Sequence, residues 1–203
     1  MGAAAQQNWP EEIAIPTGFE AEGIELGKGH EFFLGGFSFS SVLVPLFGGP
    51  AHPLSEYAGA IYKGNLRTGV GDLLVLPTGK ILGGLSYDPR TDYLYAATGS
   101  GGFASGFTDQ GVIVYDASSG DLITEITFGD NILINDCLVT RRAVYCTDSF
   151  HPNLYKLVLG KGGRLPSTPV VEKIPMPGFE MVDGFNANGL VGKFDGKQLV
   201  IVN

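Results

Sequence analysis

Three residues with side-chain oxygens recur along this chain at long, similar intervals. Glu22, Asn135 and Asn188 each begin or adjoin a run typical of a strand, a tight turn and a second strand, and Gly83 begins another run of the same kind. The intervals between the four positions are 61, 52 and 53 residues. Because hard cations such as calcium bind carboxylate, amide and water oxygens, the three side chains could form a cation site if the runs share one axis.

Such a site would act as a Lewis acid. One carboxylate and two neutral amides leave a divalent cation incompletely neutralised, so the ion could polarise a carbonyl or phosphoryl oxygen and lower the pKa of a bound water. The ordinary alternative is that Asn and Gly at strand starts only serve turns. A single asparagine would favour that alternative, whereas three such positions in register favour the cation. No His or Cys cluster has zinc spacing, which argues against zinc.

Two further residues are candidates for a catalytic general base. Asp136 directly follows Asn135, and His151 lies in a connection that the predicted strand order places at the same end of the axis. Either side chain could accept a proton from water or bind substrate. The alternatives stay open, namely a turn or strand-end role for Asp136 and an incidental exposed position for His151.

Short strands are the elements that must position these residues. Glycine makes up 31 of the 203 residues and charged residues only 17%, a composition that suits many tight turns. Hairpins are predicted across Pro89–Thr91, Arg141–Arg142 and Asp195–Gly196, and no helical periodicity is found. A period of about 40–50 residues made of strands is typical of a propeller.

The predicted fold is therefore all-β, of the six-bladed β-propeller type, with about three and a half blades present. A loose arm over residues 1–15 precedes blades at residues 19–77, 79–129 and 131–175 and half a blade at 185–203. An open series of blades leaves an apolar face and bare strand edges in contact with water. We therefore expect either a fragment of a longer protein or self-association through the open edge.

Three connections between second and third strands are predicted to lie above the cation. They span Phe37–Ala58, Gly99–Gln110 and Ser149–Pro152. The first is long and apolar and could be a substrate lid, and a packing loop is an equal alternative. The second is glycine-rich and precedes no helix pattern, so it predicts neither a phosphate-binding loop nor a nucleophile elbow.

Charge and hydropathy exclude two classes of partner. The formal net charge is -8, the pI is about 4.8, and no cluster of Lys and Arg is visible along the chain, so no nucleic acid is expected. No run of 18 apolar residues occurs, so no membrane span is expected. A small-molecule substrate remains, and the compartment is left open.

The two cysteines are informative through the register of one hairpin. If Arg141 and Arg142 form a two-residue turn, Cys137 lies directly opposite Cys146 in a non-hydrogen-bonded pair. A disulfide is one alternative, although it would close a small loop. Two buried free thiols are the other alternative and the more ordinary one.

The chain resembles the senescence-marker-protein/gluconolactonase family, also called luciferin-regenerating-enzyme-like, which has paraoxonases as relatives. The resemblance covers residues 16–203 and rests on motifs in a fixed order, at Phe19–Ile24, Gly59–Tyr62 with Leu66–Gly69, Ile134–Asp136, Tyr145–Phe150 and Phe185–Leu190.

This resemblance implies a six-bladed propeller with a divalent cation, usually calcium, that hydrolyses lactones or phosphotriesters. Glu22, Asn135 and Asn188 match the family's cation ligands, and the position of Gly83 would leave a side for substrate entry. The family's remaining ligand is an aspartate from a later blade, which these residues do not include. The segment 37–57 is longer than the family's usual link.

Three functions are consistent with these features. The first is a metal-dependent hydrolase of lactones or related esters, with calcium as the expected cation, which could be inactive as this truncated 203-residue chain. The second is a non-enzymatic ligand-binding or structural propeller. The third is a metal-independent propeller that resembles strictosidine synthase.

Overall fold

Antiparallel strands are the main regular structure of the protein. The computed structural model describes residues 9–50, 52–103 and 105–202. Within them, three four-stranded sheets follow one another along the chain, and each is a meander in which neighbouring strands pair in sequence order. A two-stranded hairpin comes last.

The strands of each sheet are as follows. Sheet 1 contains β1 (Ala21–Leu26), β2 (Glu31–Gly36), β3 (Ile61–Asn65) and β4 (Gly71–Val75). Sheet 2 contains β5 (Ile81–Asp88), β6 (Tyr93–Gly102), β7 (Gly106–Asp116) and β8 (Leu122–Gly129). Sheet 3 contains β9 (Ile134–Val139), β10 (Ala143–Asp148), β11 (Asn153–Val158) and β12 (Val171–Pro175), and the last hairpin contains β13 (Gly189–Gly192) and β14 (Leu199–Val202).

The first strands of the four units are neighbours in space. β1 packs beside β5, β5 beside β9, and β9 beside β13, so these four inner strands line one axis. The sheets radiate from that axis, and apolar side chains fill the space between sheets 1 and 2 and between sheets 2 and 3. The prediction of an all-β, propeller-like fold is confirmed.

Glycine allows the inner strands to approach closely. A Cβ atom on Gly84 would lie 1.8 Å from Oδ1 of Asp136 and 2.9 Å from its Cα atom. A Cβ atom on Gly23 would lie 2.9 Å from the carbonyl oxygen of Gly83. Since real side chains cannot occupy these distances, glycine at these positions sets the spacing around the axis.

Two of the predicted connections have more regular structure than expected. The segment 37–58 contains a short helix, α1 (Phe39–Leu43), and a 3-10 turn at Pro45–Phe47, where no helix was predicted. The segment 99–110 is mostly paired strand, because β6 and β7 extend their ladder through Ser100 opposite Thr108 to Gly102 opposite Gly106. The prediction of a glycine-rich loop was wrong there, since glycine is tolerated in a two-stranded extension.

The hairpin that contains the cysteines has the predicted register. Thr140 donates its backbone N–H to the carbonyl of Ala143 across the Arg141–Arg142 turn, and Cys137 lies opposite Cys146. The two sulfurs form a disulfide. The expectation of two free thiols was therefore wrong, because the facing positions of a non-hydrogen-bonded pair bring the side chains together.

The N-terminal residues lie along sheet 1. Residues 1–8 of the predicted loose arm lie outside the described residues. Residues 9–15 form neither helix nor strand, but the Tyr62 hydroxyl donates to the carbonyl of Ala14 at 3.2 Å and Ile13 packs on the core of sheet 1. No helix in the described ranges is long and apolar enough to cross a membrane.

Candidate functional site

A cavity of about 510 Å³ lies at the axis, between the inner strands β1, β5, β9 and β13. Its polar lining contains Glu22 and Glu25 from β1, Asp136 from β9, and Asn188 from the residue before β13. Ser86 of β5 also lines it, and its hydroxyl oxygen accepts from the backbone N–H of Val139. Acidic and amide side chains from three widely separated segments of the chain thus meet in one cavity.

A second, much smaller cavity of about 20 Å³ borders the same glutamate. Glu22 and Asn135 line it together with Thr98 and the backbone of Gly83. The Oδ1 atom of Asn135 is buried and has no hydrogen-bond partner among the described residues. An amide oxygen in that state carries an uncompensated desolvation cost of about 1–3 kcal/mol, so this cavity offers an unused acceptor beside a carboxylate.

The carboxylates at the axis hold protons more tightly than usual. Burial raises the pKa of Glu22 to about 7, and the negative charge of Asp136 adds to the rise. Burial also raises the pKa of Glu25. A hydrogen bond from the Tyr87 backbone N–H opposes this rise, and the negative charge of Asp136 adds to it. The site is therefore an electronegative pocket that would gain from an added positive charge.

Asp136 is positioned by two backbone hydrogen bonds. Its Oδ1 accepts from the N–H of Cys137 at 2.8 Å and its Oδ2 from the N–H of Leu190 at 2.7 Å. These bonds oppose the effect of burial, which nevertheless raises the pKa of Asp136 to about 6. Asp136 thus links β9 to β13, and the pKa of its carboxyl group lies close to neutral pH.

Phenylalanine rings close one end of the axis. We call this group the phenylalanine cluster, and its members are Phe37, Phe103, Phe107, Phe150 and Phe185. The ring of Phe103 lies 5.2 Å from that of Phe107 and 5.7 Å from those of Phe150 and Phe185, measured between centroids. All three connections predicted to share one face contribute to this cluster, so they do converge at one end.

The long connection over residues 37–58 packs into the cluster. Val42 is fully buried there, in one cluster with Ile81, the first residue of β5, and Leu133, the residue before β9. Phe37, Ile81, Leu133 and Phe185 also line the small cavity that holds Glu22 and Asn135. The connection therefore covers the axis from that end through Phe37 and Val42, whereas Phe47 farther along it is 82% exposed.

His151 forms a dyad with Asp148. Its Nδ1 lies 3.0 Å from Oδ2 of Asp148, whose side chain is fully buried while that of His151 is 46% exposed. Oδ1 of Asp148 accepts from the backbone N–H groups of Leu133 and Phe150. The dyad is next to the phenylalanine cluster, but His151 lines neither of the two axial cavities.

The structure brings most, but not all, of the predicted site residues together. Glu22, Asp136 and Asn188 line the larger axial cavity, and Glu22 and Asn135 line the smaller one, so Glu22 alone borders both. His151 lies to one side on an exposed connection. Within the described residues no group of three or more His, Cys, Asp or Glu side chains could hold a metal ion. The predicted ligand set contains only one carboxylate and two amides, so this finding does not test it.

Sequence reasoning missed Glu25 as a member of the axial site. It lies three residues after Glu22 on β1, where a β-bulge between Ala21 and Ile24 shifts the register. Strict alternation along a strand would place the two side chains on opposite faces. Because the bulge interrupts this alternation, both side chains can line the same cavity. The available signal was the presence of two glutamates within one predicted inner strand.

Comparisons with known proteins add little to this geometry. No family model matches the chain, and no curated protein matches it. Among solved structures it is similar to an exo-beta-1,3-galactanase from Phanerochaete chrysosporium, with a TM-score of 0.42 and 13% sequence identity over 78% of this chain. The match spans 39% of that enzyme's chain, and a likeness at this level carries no argument about function.

Proposed function

We propose that the protein is a calcium-dependent hydrolase of lactones or related esters, with its site at the axis of the inner strands. The observation that carries this proposal is the buried, unpartnered Oδ1 of Asn135 in the same small cavity as Glu22. A hard cation would satisfy that oxygen and neutralise the carboxylate in one step. Glu22, Asn135 and Asn188 would hold the ion. When bound, calcium supplies Lewis-acid chemistry toward an ester oxygen.

Asp136 is the general base in this proposal. A carboxylate with a pKa of about 6 is ionised at neutral pH and still basic enough to accept a proton from water. As the water oxygen bonds to the acyl carbon, its proton passes to Asp136. The acyl C–O bond of the ring then breaks, and the leaving oxygen takes the proton back, so a lactone becomes a hydroxy acid.

His151 is the second candidate for this proton transfer. Because Nδ1 faces Asp148, its other ring nitrogen is directed elsewhere and could accept a proton from a water outside the axial cavities. The position of Asp136 inside the 510 Å³ cavity, together with Glu22, makes Asp136 the better base.

The phenylalanine cluster supports a substrate with apolar substituents. It excludes water from the end of the axis where Glu22 and Asn135 lie, which strengthens electrostatic interactions there. A polar sugar ring would find few hydrogen-bond partners against these five rings. We therefore expect alkyl or aryl lactones and esters to be the better substrates.

We further propose that the sheets belong to a six-bladed ring. Large apolar side chains are exposed at both ends of the series: Ile24 and Leu26 on β1, and Val191, Val200 and Val202 on β13 and β14. Such faces are normally covered by a neighbouring blade. Further sheets in the gap would also add oxygen ligands on the open side of the axial cavity.

Calcium binding is the first test of this proposal. We expect calcium to raise the melting temperature of the protein, and we expect Glu22→Gln and Asn188→Ala to abolish the rise. Absence of a calcium-linked shift, measured on a polypeptide that includes any further blades, would contradict the proposal.

Hydrolysis is the second test. We expect alkyl lactones to be hydrolysed in the presence of calcium, with loss of activity in Asp136→Asn and retention in His151→Gln. A blank panel of lactones, esters and phosphotriesters with calcium bound would instead favour a ligand-binding propeller. Activity that survives a chelator would favour the metal-independent alternative.

A further inference from the structure

Basic residues converge at the end of the sheets away from the phenylalanine cluster. The chain contains 13 Lys and Arg residues against 21 Asp and Glu. Two adjoining grooves of about 870 and 710 Å³ share Arg90, Lys161 and Gly162. The basic residues that line them are Arg90, Arg141, Arg142, Lys156, Lys161 and Arg164.

Two of these six cations are already used by the fold. The Arg90 guanidinium binds Asp88 through Nε at 2.8 Å and Nη2 at 2.7 Å, and it donates to the carbonyls of Thr140 and Arg141 at 2.9 and 2.6 Å. Lys156 pairs with Glu172 at 2.8 Å. Arg90 therefore joins sheet 2 to sheet 3 and is not free for a ligand.

The other four cations have no ion pair within the described part of the chain. They are Arg141 and Arg142 in the β9–β10 turn, and Lys161 and Arg164 in the connection from β11 to β12, and all four are exposed. The only acidic residue among those that line the grooves is Asp195. Arg141, Arg142 and Asp195 line one groove, Arg164 lines the other, and Lys161 lines both. Four positive charges and one negative charge are thus distributed over two adjoining grooves of an acidic protein.

Backbone contacts hold these four residues in place. The N–H of Leu159 donates to the carbonyl of Arg142, and the N–H of Gly160 donates to the carbonyl of Arg164, both at 2.8 Å. Gly163 packs against the Asp88–Arg90 pair with a φ of +83°, and a Cβ atom there would lie 2.4 Å from Oδ2 of Asp88. The backbone that carries these cations is therefore fixed before a ligand binds, which lowers the cost of ordering the loops.

We propose that the two grooves form an anion site for a small molecule that carries two or more phosphate groups. Guanidinium groups bind phosphate oxygens in pairs, and Lys adds a point charge. A single exposed charge pair contributes little in water, so a monoanion would bind weakly. A compact ligand with about three negative charges would match the net charge of the four cations and Asp195.

The probe for this site is inorganic tripolyphosphate, titrated into the protein by calorimetry at low ionic strength. We expect binding that weakens as salt is added, and we expect Arg142→Gln/Lys161→Gln to weaken it by about tenfold or more. Both side chains project from backbone that the substitutions leave unchanged, so folding should be retained. Near-ultraviolet circular dichroism checks that point.

The matched control is Lys28→Gln/Arg67→Gln, which removes the same charge from exposed positions of sheet 1. In measurements at about 0.1 M salt, where the Debye length is about 10 Å, we expect it to bind within about twofold of the wild type, because more distant exposed charges are then screened. An equal loss of affinity in both double variants would show that binding depends only on the net charge of the protein, and it would overturn the proposal. Failure of tripolyphosphate to bind, or equally tight binding of citrate, would overturn it too.

Two further binding measurements distinguish a lipid headgroup from a free phosphate compound as the ligand. Binding to phosphatidylinositol bisphosphate vesicles, displaced by tripolyphosphate, would assign a lipid headgroup. Tripolyphosphate binding without vesicle binding would assign a free phosphate compound. Tighter binding to single-stranded DNA than to tripolyphosphate would replace the proposed small molecule with a nucleic acid and overturn the proposal.

Discussion

At the scale of single residues, the axial carboxylates make stability depend on pH. The pKa of Glu22 is about 7 in the folded protein and near its ordinary value of 4.5 when unfolded, so the folded state binds more protons between these values. Stability contributed by this difference is present below pH 4.5 and is lost as the pH rises through 7. Asp136 acts in the same direction, between 3.8 and about 6.

We therefore expect the melting temperature in a chelator to fall as the pH rises from about 5 to about 8. Glu22→Gln should flatten this dependence, because the amide does not titrate. Differential scanning calorimetry across that range is the measurement, and Glu11→Gln at an exposed position is the control. Parallel pH curves for wild type and Glu22→Gln would show that Glu22 is not the source.

Substitution of Asn135 distinguishes a role in binding calcium from a role in stabilising the fold. Since its buried Oδ1 has no partner among the described residues, Asn135→Ala relieves a desolvation cost of about 1–3 kcal/mol, and in a chelator the variant should be no less stable to unfolding than the wild type. The same variant should lose the calcium-linked rise in melting temperature. Urea unfolding with and without calcium measures both quantities. A large loss of stability without calcium would indicate that the asparagine serves the fold instead.

At the scale of elements, glycine spacing around the axis is the feature most sensitive to substitution. Gly84→Ala would place a methyl group 1.8 Å from Oδ1 of Asp136, so β5 and β9 must separate. We expect a loss of about 1–3 kcal/mol in the free energy of unfolding. In the control Gly189→Ala on β13, the nearest atom is 3.8 Å away, and the loss should be below about 1 kcal/mol. Similar losses for both would contradict close packing at Gly84.

The disulfide supports a second element, the β9–β10 hairpin. Cys137 and Cys146 are nine positions apart, so the loop they close is short and its entropic stabilisation is about 2–3 kcal/mol. We expect reducing agent to lower the melting temperature without unfolding the protein at room temperature. Thiol titration of the unreduced, denatured protein should detect no free thiol. Detection of two would contradict the bond.

The sequence predicted the turns and the strand register within a hairpin better than it predicted the structure of the connections at the end of the axis. The Arg141–Arg142 turn and the opposition of the two cysteines follow from strand alternation and turn chemistry, which act over a few residues. Helix α1 was missed because five residues are too few for a periodic signal. The β6–β7 extension was missed because its pairing depends on the neighbouring strand more than on its own residues.

At the scale of the whole molecule, the two exposed apolar faces control assembly. We expect the 203-residue polypeptide to associate in a concentration-dependent way through Leu26 and Val200, at opposite ends of the series of sheets. Sedimentation velocity should show that Leu26→Glu/Val200→Glu reduces association. The control Val70→Glu/Leu122→Glu changes exposed positions elsewhere and should have no effect. A wild type that stays monomeric at high concentration would contradict this prediction.

The sequence by itself determined the repeated strand–turn–strand pattern, the meander within each sheet and the candidate oxygens at Glu22, Asn135 and Asn188. These features depend on residues near one another in the chain. Only the tertiary structure decided that Glu25 and Asp136 share the axial cavity, that phenylalanines close its end, and that four cations meet at the other end. The physical reason is that such neighbours are set by packing between sheets, and contacts over long sequence separations leave no periodic signal in the chain.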